Sequence, residues 1–172
     1  MCGPGLTHKG DIATETTAAR AGGVTSILDM PNTVPQTTTM ALVHAKMERA
    51  AEVAKANYAF FIGAAGTSNF DELAHADYRI IPGIKLFMGS STGNMLVDKD
   101  DDLRRIFDLA ASMDVIIVVH AEDEEIIAEN RAIISAIYGN AEVPVRVHCK
   151  IRPAEACLRA TERAIALARQ YG

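Results

Sequence analysis

The chain has 172 residues, 49% of them hydrophobic and 23% charged, which is enough for one ordinary domain with its own core and a water-exposed surface. Its formal net charge of −5, with no basic stripe, argues against nucleic acid as a partner, because phosphate binding needs clustered Lys and Arg. No apolar run reaches membrane-spanning length, and the N-terminal MCGPG has the pattern of neither a signal peptide nor a transit segment.

The elements alternate along the chain. Residues 11–21, rich in Ala and Thr, predict a helix stopped by Gly22 and Gly23. Residues 24–29 (VTSILD) predict a strand, broken by Met30, Pro31 and Asn32. Residues 38–54 have helical periodicity through Leu42, Ala45 and Met47, with Thr38 or Thr39 as the cap. YAFFIGA at 58–64 is a buried-type strand, 70–76 a short helix, and GIKLFM at 83–88 a strand with a lysine in its middle. Residues 101–112 predict a helix, VIIVVH at 115–120 a strand, and 123–138 a helix. A loop is expected to run to Arg152, and Pro153 opens a final helix to about Tyr171. The acidic run Asp98 to Asp102 reads as a solvated loop entering a helix. It lacks the glycine and terminal glutamate of a calcium-binding EF-hand loop.

The strand starts at 24, 58, 83 and 115 recur roughly every 30 residues, the spacing of repeated βα units. Nearly continuous apolar strands between helices imply a parallel sheet covered on its outside. A doubly wound sheet and a (β/α)8 barrel both remain open, although no GxGxxG follows the first strand and no P-loop is present. Four strands cannot close a barrel, which needs about eight. No linker or internal repeat divides residues 1–172, so one domain is expected. Cys2, Cys149 and Cys157 have no metal-type spacing, and an odd count without CxxC suggests reduced thiols in a cytoplasmic protein.

Polar residues collect where strands end, which in a βα barrel is the active-site face. Lys85 lies among Ile84, Leu86 and Phe87. It is either an edge-strand lysine reaching solvent or an activated lysine, able to form a Schiff base or a carbamate with carbon dioxide. His120 closes an aliphatic strand one βα unit later. Alone it would be an ordinary core histidine. Beside a lysine that can become an anion, it suits a divalent metal such as zinc. Asn32 follows the first strand. His8, His44 and His75 read as surface residues, and His148 as a loop residue. No Gly-x-Ser-x-Gly elbow supports a serine hydrolase, and nothing marks Cys149 as a nucleophile.

Several stretches resemble the dihydroorotase branch of the amidohydrolases. They are PGLTHKGDI at 4–12, AARAGGVTSILDMPNTVPQTTT at 18–39, GIKLFMGSSTGNMLV at 83–97, VVHAEDEEII at 118–127 and the final IRPAEACLRATERAIALARQYG. MPN together with KLFMGSSTGNM is the most specific part. The resemblance implies an α/β fold, a partial (β/α)8 TIM-barrel-like amidohydrolase fold of about four parallel strands with covering helices. It implies zinc-dependent interconversion of N-carbamoyl-L-aspartate and dihydroorotate in pyrimidine synthesis, with two zinc ions in the complete site. Lys85 would be the carboxylated bridging ligand, His120 a ligand of one metal, and Asn32 a partner of the substrate carboxylate. Allantoinases and dihydropyrimidinases use a similar barrel and modified lysine. The family's His-x-His pair would fall before Met1, and its substrate arginine would align with Cys2. The later metal histidine and the aspartate base would fall beyond Gly172, so no catalytic base is expected within the chain. The expected partners are a small-molecule substrate, further copies of the chain in a homo-oligomer, and aspartate transcarbamoylase. A non-catalytic dihydroorotase-like scaffold is the alternative to an enzyme.

Overall fold

Helices begin where a short polar side chain can take the first free backbone N–H groups. This computed structural model describes residues 5–89 and 95–172. Cys2 and the central SSTGN of the 83–97 motif lie outside the described residues. Asp11 caps α1 (Ile12–Ala21) in a reciprocal box: its carboxylate accepts from Thr14 N at 2.8 Å, and Thr14 Oγ1 accepts from Asp11 N at 3.0 Å. Thr39, one of the two expected caps, accepts from Leu42 N at the start of α2 (Met40–Val53). A short α3 spans Phe70–His75. The acidic run enters α4 (Asp100–Ser112) with Asp100, Asp101 and Asp102 in its first turn, where carboxylates complement the helix dipole. Asp123 caps α5 (Glu124–Tyr138) through Ile126 N.

The stretch before Pro153 departs from the expected loop. It forms a 3-10 turn at Val145–Val147 and a four-residue helix, α6 (His148–Ile151). Val147 is the buried residue of the turn, α6 itself buries none, and the segment has no periodic pattern of its own. Helix α7 (Ala154–Tyr171) follows, with Pro153 as its N-cap residue. Its buried face is Ala156, Ala160, Ala164 and Leu167, and small side chains four apart let it lie close on α4.

The strands are β1 (Ser26–Asp29), β2 (Asn57–Phe60), β3 (Ile62–Gly63), β4 (Ile84–Phe87) and β5 (Ile117–His120). All pairings are parallel: β1 with β2, then β3 with β4 and β4 with β5. The strand expected over 58–64 is split at Phe61. Phe61 N still donates to Asp29 O at 3.1 Å, but Gly63 N turns to Thr37 O at 2.9 Å. The chain bends there from the β1 side onto β4. Spatial order therefore follows chain order with no reversal, which is barrel topology; a doubly wound sheet reverses at a switch point.

Side chains alternate between two faces. Phe60, Ile62, Ala64, Ile84 and Leu86 join Leu103, Ile106 and Leu167 in one apolar core, with Ile117 and Val119 packed against it. The opposite face, which is the barrel interior, takes Leu28, Phe61, Gly63, Lys85, Phe87, Val118 and His120 by parity. Among the described residues no helix is long and apolar enough to cross a membrane.

Candidate metal centre

Strand β4 runs between β3 and β5, and all four of its residues are buried. Lys85 is 6% exposed. The reading of Lys85 as an edge-strand lysine reaching solvent is therefore corrected: a neighbour on each side removes the edge. Its Nζ lies 4.9 Å from the centroid of the Phe87 ring. Burial pushes its ammonium below the ordinary lysine range, because desolvation disfavours the charged form.

Lys85 is the register partner of Gly63 on one side and Val118 on the other. Phe87 is the register partner of His120. Lys85, Phe87, Val118 and His120 therefore share a face, with Lys85 and His120 on adjacent strands and two positions apart in register. The Phe87 and His120 rings lie 5.9 Å apart, tilted by 44°. His120 ends β5 and is only partly buried. Its Nε2 is 2.7 Å from Glu122 Oε2. Glu122 is in turn bound by Arg152, whose Nε donates to Oε1 at 2.9 Å and whose Nη2 donates to Oε2. The Arg152 guanidinium, with a smaller contribution from His120, holds the Glu122 carboxyl below the usual carboxylate range against the opposing effect of burial.

Asn32 stands on a separate, half-buried stretch of loop after β1. Thr33 N and Thr37 N both donate to Pro31 O, at 2.8 and 2.9 Å, which fixes that loop. A side chain on Gly63 would meet Pro31 Cγ at 3.0 Å and Met95 Sδ at 2.8 Å. The Asn32 loop thus packs on the residue beside Lys85. Lys85 and His120 share one face, and the loop that carries Asn32 meets Gly63 through Pro31. His8, His44, His75 and His148 are exposed. Among the described residues no three His, Cys, Asp or Glu side chains form a ready metal cluster. Lys85 as a carbamate and His120 as an imidazole fit part of a zinc shell, one oxygen and one nitrogen donor, where a closed site needs about four.

No family model matches the chain. It is 34% identical over 122 residues to a dihydroorotase of Halobacterium salinarum, a stretch covering 71% of this chain and 28% of that protein. An allantoinase of Streptomyces avermitilis is 34% identical over 122 residues, 70% of this chain and 27% of that one. The solved L-hydantoinase (dihydropyrimidinase) from Arthrobacter aurescens superposes with a TM-score of 0.84 at 28% identity, over 94% of this chain and 35% of that one. This chain belongs to the cyclic amidohydrolases. It spans about 28% of the first curated relative's length.

Two features of this amidohydrolase chain escape sequence reasoning. Glu122 had a local signal, a carboxylate two residues after a candidate metal histidine, of the kind that orients such rings. Arg152 had none, being 30 residues further on. On the helix side of the sheet, Lys46 of α2 reaches Asp29 at 2.6 Å and Met30 O at 3.3 Å. Both ionic side chains are nearly inaccessible, at 3% and 2%. This pair pins α2 to the end of β1 and lies on the opposite face from Lys85.

Proposed function

We propose that the chain supplies one wall of a metal-assisted cyclic-amide hydrolase site of the dihydroorotase type. Lys85, as its carbamate, and His120 would hold metal, and Asn32 would receive the carboxylate of the substrate. The carrying observation is that Lys85 and His120 share the interior face of adjacent parallel strands.

The burial of Lys85 supports the rest. A desolvated lysine keeps more of the neutral amine, whose nitrogen adds to carbon dioxide and loses a proton to give a carbamate anion. That anion, buried, needs a cation beside it. A divalent metal, when bound, polarises an amide carbonyl and acidifies water. The chain's own part is to hold the carbamate oxygens and the imidazole on one face, with Pro31 and Met95 closing over Gly63. An Asn that recognises a carboxylate favours dihydroorotate over hydantoin or allantoin, which lack one.

The test has two readouts. With zinc and 13C-bicarbonate, the protein should show a carbamate carbon signal that Lys85→Ala abolishes and His120→Ala weakens. Zinc-dependent turnover should then be compared on dihydroorotate, hydantoin and allantoin. Absence of both the carbamate signal and bound zinc overturns the metal reading. Preference for hydantoin or allantoin moves the substrate assignment to those relatives. No turnover of any of them, with binding to aspartate transcarbamoylase, favours a scaffold.

A further inference from the structure

We propose that Glu122 and Arg152 are positioning residues that decide which ring nitrogen of His120 is presented to a metal ion. The proposal rests on the metal-site reading for its consequence, but its geometry stands without a metal.

An ionised carboxylate can only accept hydrogen bonds. With Glu122 Oε2 at 2.7 Å from Nε2, a neutral His120 ring must carry its proton on Nε2. The lone pair is then on Nδ1, which is the nitrogen left to bind a cation. Glu122 is itself a poor candidate for the metal, because Arg152 Nε donates to Oε1 at 2.9 Å while Arg152 Nη2 and His120 share Oε2. The carboxylate is thus held from one side by a fork and serves the ring on the other.

The backbone supports this arrangement from three directions. A side chain on Gly89 would come within 2.6 Å of Glu122 O and 2.8 Å of Glu122 Cβ, so the chain two residues beyond β4 backs directly onto Glu122. Asp123 N donates to Ala156 O at 2.9 Å, tying the loop after β5 to the first turn of α7. Arg152 N donates to His148 O at 3.0 Å, closing α6 just before Pro153 starts α7. The guanidinium is therefore delivered by the α6–α7 junction. Its displacement would free Glu122 and, through it, the His120 ring.

The test is long-range 1H–15N NMR of the metal-free, 15N-histidine-labelled chain at mildly alkaline pH, where an ordinary imidazole is neutral. The wild type should show His120 as a single Nε2–H tautomer with a slowly exchanging ring proton. Arg152→Met should increase the exchange rate of that proton at least tenfold and mix the tautomers. Arg152→Lys, which keeps a donor and the charge, should restore part of the protection. A dispersed backbone spectrum checks that each variant is folded, and Glu122→Gln provides a second route if Arg152→Met is not. An Nδ1–H tautomer in the wild type overturns the proposal. So does a folded Arg152→Met or Glu122→Gln chain with an unchanged His120 signal. Because no metal is present, failure here is distinct from failure to bind zinc.

Discussion

Gly63 and Lys85 are register partners on neighbouring parallel strands, and the missing side chain at Gly63 leaves space that Pro31 and Met95 fill. The loop carrying Asn32 can therefore press against the strand next to the lysine. One glycine thus connects the first strand's loop to the centre of the candidate site.

Gly63→Ala tests that packing. The new Cβ would meet Met95 Sδ at 2.8 Å, which a thioether can relieve, and Pro31 Cγ at 3.0 Å, which a rigid ring cannot. Overpacking of this kind costs about 1–3 kcal/mol. Urea unfolding should show a lower midpoint with an unchanged slope. An unaltered midpoint would mean that the loop is not seated on the strand.

Lys46→Met should be among the most damaging single changes. It leaves Asp29 buried without its ammonium partner at 2.6 Å. Breaking a buried pair from one side costs about 3–5 kcal/mol, whereas replacing both partners by apolar residues is often nearly neutral. The double variant Lys46→Met with Asp29→Leu should therefore recover much of the loss in thermal unfolding. A double variant as unstable as the single one would show that Asp29 matters for its other contacts instead.

Tyr78 supplies a pH dependence at the alkaline end. Its hydroxyl donates to Leu73 O at 2.8 Å, and burial raises its pKa from the ordinary 10 to about 12. The folded state holds this proton more tightly than the unfolded chain. The stability gained is thus complete below the unfolded value near 10 and is lost as pH rises towards about 12. Ultraviolet titration should show one tyrosine ionising late, and Tyr78→Phe should remove that step. The same variant should cost about 1 kcal/mol through the lost hydrogen bond to Leu73 O.

Thr39→Ala removes the side chain that accepts from Leu42 N at the start of α2. The expected loss is about 1 kcal/mol, with Thr39→Ser close to the wild type because serine caps equally well. Equal stability of the alanine variant, measured by denaturant unfolding, would remove the capping role.

Much of the architecture was legible because it is local. The alternation of apolar strands and amphipathic helices follows from side-chain periodicity, and the cap at Thr39 follows from a short polar side chain before a helical run, whereas Asp11 and Asp123, expected as first helical residues, cap their helices instead. The break at Phe61 was hidden, since YAFFIGA is uniformly apolar and carries no mark where its hydrogen bonds change partner. The turn at Val145–Val147 and helix α6 were equally hidden, because no periodic pattern marks them and Val147 is their one buried residue.

By itself the sequence determined that this is a chain of repeated βα units with an out-of-place lysine and a strand-ending histidine. Those features depend on neighbours a few residues away. Only the tertiary structure decided that Lys85 lies inside a sheet, on the face of His120, and that Arg152 reaches Glu122 across 30 residues. The reason is register. Which strand lies beside which, and at what offset, is set by packing between segments distant in the chain, and no local periodicity encodes it.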